Sequence, residues 1–167
     1  MKTESSVKQL RSIRLLIAGF ILCLIASGIT AFPLEWEVEL GEPLTGHFPP
    51  LFKLWFSKVS EGIYATNRSY PFMAYGTDWL AFSHIIIALF FIAPFRDPVK
   101  YLLIIDIGIW ACLLVFPLAL CCGPLRSIPF FWQMIDCSFG LLGGSLLLFI
   151  RRRIIHLQLN PSKKLYV

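Results

Sequence analysis

Four ionisable side chains stand within or at the edge of long apolar runs: Asp78, His84, Asp106 and Asp136. At membrane depth such a group is costly to keep, so each is a candidate for chemistry. A histidine facing a carboxylate in a medium of low dielectric exchanges protons or holds the polar end of a ligand. Tyr75, Trp79, Arg126 and Trp132 lie close to these residues in sequence and add aromatic surface and a cation. The expected site is a cavity in the outer half of the membrane, between the second and fourth spans. His84 and Asp136 form its floor, Asp78 and Arg126 its charged rim, and Tyr75, Trp79 and Trp132 its aromatic walls. The plainer alternative is that His84 and Asp136 satisfy each other and fix helix register. In the same way, Asp78 and Arg126 are readable as an interfacial clasp.

Helix rise places these residues. At 1.5 Å per residue, Asp136 lies about 10 Å and His84 about 12 Å below the outer boundary, so the two share a depth. Trp132, Asp136, Gly140 and Gly144 are spaced by four and fall on one stripe. The Gly140–Gly144 pair favours close approach of a neighbouring helix, which turns that stripe toward protein. Thr77, Ala81, His84 and Ala88 form a similar small-residue face. Asp106 sits about 9 Å above the inner boundary and about 9 Å from the His84 layer, across a core of about 30 Å. That spacing suits a proton relay through water. The alternative for Asp106 is snorkelling to the inner surface or a bond to a neighbouring helix.

The elements that must hold these residues are transmembrane helices. Hydrophobic residues make up 57% of the 167, and charged ones only 15% against about 25% in soluble domains. The apolar excess is gathered into runs long enough to span. The sequence predicts an all-α, four-helix membrane bundle forming a single domain over 1–167. Its spans are about 13–32, 77–95, 100–121 and 129–150. The first run is long for a signal-peptide core and no lipobox precedes Cys23, so it is expected to be retained as a span. A long outer connection, 33–75, carries Glu35, Glu37, Glu39 and Glu42 and then a short amphipathic helix from Leu51 to Val59. That helix lies on the membrane surface or packs over the bundle mouth. Residues 151–167, with Arg151, Arg152, Arg153, Lys163 and Lys164, form a tail.

Eleven of the 15 Lys and Arg fall on one side of this topology, which sets both termini in the cytoplasm. The same count explains the net charge of +5 without nucleic acid. The five cysteines, Cys23, Cys112, Cys121, Cys122 and Cys137, form no CxxC pair. No His, Cys and Glu residues have metal spacing and no paired histidines suit a haem, so no cofactor is expected.

Three segments carry a resemblance: Tyr70 to His84, Arg96-Asp97-Pro98-Val99, and Gly123 to Pro129 followed by Trp132 and Ile135 to Gly140. Together they resemble a family of small, uncharacterised four-helix inner-membrane proteins of bacteria. The resemblance covers most of residues 27–150 and implies a bacterial inner-membrane setting with no activity to transfer. In architecture alone the chain is also similar to the EXPERA group of sterol isomerases and sigma-2-type lipid-binding proteins. Three functions stay open. One is a protein that binds a lipid or small hydrophobic ligand in its cavity, or serves as an accessory membrane subunit. Another is an enzyme acting on a lipid or isoprenoid through Asp136 and His84. The third is a proton-coupled carrier using Asp136, His84 and Asp106, which needs an oligomer. Membrane lipids and a homo-oligomer or a larger membrane complex are the expected partners.

Overall fold

The computed structural model describes residues 2–159, with side chains from Val7 onward. Lys163 and Lys164 of the expected tail lie outside the described residues. The described chain is helical throughout, with no strand. Seven helices follow in order: α1 (Lys2–Thr30), α2 (Leu34–Gly41), α3 (Pro50–Ser69), α4 (Ala74–Phe90), α5 (Ile92–Arg96), α6 (Leu102–Leu125) and α7 (Phe130–Leu159). Four stretches are long and apolar enough to cross a membrane: Val7–Thr30, Pro71–Arg96, Leu102–Leu125 and Phe130–Leu159. Each agrees with an expected span, and the last runs well beyond Ile150. Contacts cluster the chain into two compact units, Cys23–Ala88 and Met1–Leu22 with Leu89–Val167. Each is described by itself.

In the first unit the connection predicted as a long loop is almost wholly helical. Pro33 precedes α2, and Glu35 and Glu37 in its first turn favour the positive end of the helix dipole. A 3-10 turn over Glu42–His47 leads to Pro50, which starts α3 with its φ already set for a helix. The short helix expected over Leu51–Val59 continues to Ser69 and stops ahead of Pro71, as the residue before a proline requires. Its half-buried face is Phe52, Trp55, Phe56, Val59 and Ile63, while Leu51 and Leu54 are exposed. This face packs on α2 and the turn: Phe56 lies edge-on to Phe48 at 6.3 Å and closes over Gly41. Thus α3 is a packed helix along this face and an open one on the other.

In the second unit α6 and α7 pair along their length. The buried stripe of α7 is Gln133, Cys137, Gly140, Gly144, Leu147, Ile150 and Ile154, an i+3/i+4 pattern. At Gly140 an added Cβ would lie 2.7 Å from the carbonyl oxygen of Cys112, so the two backbones nearly touch. Ile13 and Ile17 of α1 are also fully buried. Between α4 and α6, Pro94 lacks the N–H that would bond the Phe90 carbonyl, and the helix breaks there into the short α5. Asp97 then accepts a hydrogen bond from the Lys100 backbone N–H at 2.9 Å and closes the following turn.

The α6–α7 turn is a Schellman motif. The Ile128 N–H donates to the Gly123 carbonyl at 2.9 Å and the Ser127 N–H to that of Pro124 at 3.0 Å. Ser127 takes the left-handed position with φ 56°, where glycine is usual.

Candidate functional site

The expected cavity drew residues from both units. Tyr75, Asp78, Trp79 and His84 belong to the first, and Arg126, Trp132 and Asp136 to the second.

In the first unit, α1 ends at Thr30 and the chain turns through Phe32 and Pro33, opposite the start of α4 and the end of α3. Two clefts open here and share Phe32 as a wall. The smaller, about 230 Å³, is lined by Tyr75, Asp78, Trp79 and Phe82. Three of the sequence-derived site residues therefore do share one concavity. Trp79 stands between Tyr75 and Phe82, edge-on to each at 6.0 Å, and is 55% exposed. Amphipathic aromatic rings of this kind favour the boundary between water and hydrocarbon.

The larger cleft, about 510 Å³, was not foreseen. Phe32, Val59, Ile63 and Met73 supply apolar wall, Gly62 leaves an open stretch, and Glu35, Thr66, Asn67 and Thr77 bring polar atoms to its rim. A signal existed in the sequence. Val59, Ile63 and Thr66 continue the helical spacing of the amphipathic segment past the point where its polar residues suggested an end.

His84 does not line either cleft. It lies on the packed face of α4, where Ala81 and Ala88 are buried, as the small-residue pattern anticipated. Its ring Nδ1 is 2.8 Å from the Leu80 carbonyl oxygen on the same helix. A bond to a carbonyl makes Nδ1 the donor and leaves Nε2 as the acceptor in the neutral ring. α1 comes close at this level: a Cβ on Gly28 would sit 2.8 Å from the Ala81 carbonyl oxygen and 3.2 Å from the His84 Cβ.

In the second unit the inward stripe of α7 is rotated from the one expected. Gln133 and Cys137, not Trp132 and Asp136, lead into Gly140 and Gly144. Trp132 is exposed at 37%, and Asp136 is half-buried beside the stripe. The α6 backbone explains the difference. Gly123 offers the space into which Gln133 packs, and an added Cβ at Gly123 would come within 2.6 Å of the Gln133 amide carbon. The Gln133 amide N–H donates to the Ile128 carbonyl oxygen at 2.8 Å. Gln133 was missed because an uncharged amide near a helix start draws less notice than a carboxylate. Arg126 is exposed on the turn, and its backbone N–H caps α6 against the carbonyls of Cys122 and Gly123 at 3.1 Å.

Asp106 has a partner that sequence spacing did not reveal. The Arg151 Nε donates to its Oδ1 at 2.5 Å, tying α6 to α7. Of the readings open for Asp106, this is the bond to a neighbouring helix. Among the described residues, no three His, Cys, Asp or Glu side chains are grouped to hold a metal ion. Cys23, Cys121 and Cys122 are exposed free thiols and Cys137 is buried. Comparison of the chain with known protein families, curated proteins and solved structures gives no match.

Proposed function

We propose that this is an integral membrane protein that binds a lipid or similar amphipathic molecule at the outer face of the bilayer. The observation that carries the reading is the cleft of about 510 Å³ walled by Phe32, Val59, Ile63 and Met73. Its size falls within the range of small-molecule sites, roughly 300–1,000 Å³. Its apolar walls and polar rim suit a molecule with both characters, and Trp79 with Tyr75 extends the apolar surface through the neighbouring cleft. Membrane embedding is supported by the outward side chains of the long helices. Leu15, Leu22, Leu89, Leu103, Leu114, Leu118, Leu141 and Leu142 are all half or more exposed on helices that water would not tolerate in this form. The count of basic residues favours cytoplasmic termini, which puts the cleft on the far side of a bacterial inner membrane. The reading needs residues of one unit alone.

Gly62→Leu tests it. A Cβ at Gly62 meets nothing within 4 Å, so the leucine fills the cleft without pushing on the fold. Removing a mid-helix glycine also favours α3 by about 0.5–1 kcal/mol, so lost binding would not reflect lost folding. Native mass spectrometry of the protein, extracted gently from its own membrane, is expected to show a stoichiometric lipid-like adduct that Gly62→Leu removes. A bare parent chain, or an adduct that survives the substitution, would overturn the reading.

A further inference from the structure

The basic residues at the two ends of the chain do more than set topology. α1 contributes Lys8 and Ser12, and α7 contributes Arg152, Arg153 and His156, to the lining of one cavity of about 610 Å³. Among the described residues, no aspartate or glutamate lines it. Arg151, the first arginine of the triplet, is turned away from this cluster to Asp106. Its two successors face a different task.

Arg153 is held in place. Its Nη1 donates to the Ser12 Oγ at 2.8 Å, and its guanidinium lies over the Phe149 ring at 4.5 Å. The Gln9 amide donates to the Arg153 carbonyl oxygen at 3.3 Å, fixing the backbone as well. A surface arginine normally loses rotamer freedom when it binds an anion, and here that freedom is already spent. Ser12 uses one of five guanidinium N–H groups, and the planar fork suits two phosphate oxygens at once.

The depth is that of a lipid headgroup. Phe130 to Arg152 is about 33 Å along a helix axis, close to the roughly 30 Å hydrocarbon thickness. Phe149 then supplies apolar wall just below the cations. A basic pocket between membrane helices at the cytoplasmic boundary matches phosphate carried on an acyl chain.

We infer that the α1–α7 cavity is a phosphate-binding site, with Arg153 as its fixed fork and Lys8, Arg152 and His156 around it, that receives the headgroup of an anionic phospholipid. The inference rests on membrane embedding and is independent of any ligand in the outer cleft.

The test titrates the full-length detergent-solubilised protein separately with phosphatidylglycerol, phosphatidylcholine and inorganic phosphate, with native mass spectrometry as readout. Phosphatidylglycerol is expected to bind more tightly than phosphatidylcholine, and the preference to weaken as salt rises. Arg153→Gln is expected to weaken phosphatidylglycerol binding about tenfold, the loss of roughly one charged hydrogen bond. Arg152→Gln, which removes an exposed cation with no described bond, keeps the test valid should Arg153→Gln fail to fold, and a several-fold loss is expected. Lys53→Gln, the same charge change in α3, is expected to have no effect. The preference is expected to survive Gly62→Leu, which separates this site from the outer cleft. Binding of inorganic phosphate that depends on Arg153 would support the phosphate site and assign it a soluble source. Equal binding of the two lipids, or equal losses from Arg152→Gln and Lys53→Gln, would overturn the inference.

Discussion

Gly140→Ala is the sharpest probe of how α6 and α7 meet. A methyl there would sit 2.7 Å from the Cys112 carbonyl oxygen and 3.2 Å from the Val115 Cβ. Close C–H···O contacts in helix pairs are about 3.3–3.6 Å, so α7 must retreat by roughly 0.6–0.9 Å against backbone that cannot rotate away. Overpacking of this kind costs about 1–3 kcal/mol, and the helix gains up to about 1 kcal/mol from replacing glycine. The net expectation is a loss of about 1–2 kcal/mol. Gly144 is the internal control. A methyl there would meet only the Cys112 Cβ at 3.3 Å, a few tenths of an ångström short of comfortable contact. Gly144→Ala is therefore expected within about 0.5 kcal/mol of the parent, as the small clash and the propensity gain offset each other. Reversible unfolding in mixed micelles of rising SDS fraction, followed by far-ultraviolet circular dichroism, measures both. If Gly140→Ala is as stable as Gly144→Ala, the close backbone contact at Cys112 does not exist and the packing argument falls.

The Asp106–Arg151 pair is expected to show coupling in a double-mutant cycle. Asp106→Asn and Arg151→Gln should each destabilise by about 1.5–3 kcal/mol, with the double variant costing clearly less than their sum. Strict additivity would mean that the two side chains do not meet. On α3, partial desolvation, with the carboxylates of Glu39, Glu42 and Glu35, raises the Tyr64 phenol above its usual range near 10. A folded-state pKa raised above the unfolded one gives stability that is complete at neutral pH and lost as pH climbs above about 10. The 295 nm titration of the parent minus Tyr64→Phe should have a raised midpoint that falls in Glu39→Gln. An ordinary midpoint would remove the acidic segment from the neighbourhood of Tyr64.

The four long apolar helices were legible because apolar runs of this length have few other uses, but their ends were not. The triplet Arg151–Arg153 was read as a stop, yet arginine is a good helix former and two of the three find partners on α6 and α1. α7 therefore runs to Leu159. On α3 the alternation of aromatic and polar residues was visible up to Val59, but Gly62 and the polar stretch after it masked the same period. This hid the larger cleft. On α7 the error was about one residue of rotation. Residues 132, 136, 140 and 144 lie on nearly one line by spacing alone, and the glycines were placed correctly. The choice between Trp132 and Gln133 was made by Gly123, a residue whose relevance no local pattern announces. The Asp106 partner lay 45 positions away, and such pairing is settled by how helices stack, which composition does not encode.

The turn at Arg126–Pro129 bears on how the proposed membrane hairpin would form. Closing so short a connection has little entropy to lose, and the Schellman bonds already fix the direction of return. Two of the polar groups on α7, the Gln133 amide and the Arg151 guanidinium, bond to Ile128 and Asp106. Both partners lie in the hairpin itself. The hairpin therefore meets these two needs before any other helix arrives. In a membrane, α6 and α7 would therefore be suited to enter as a pair, with both of these groups already satisfied.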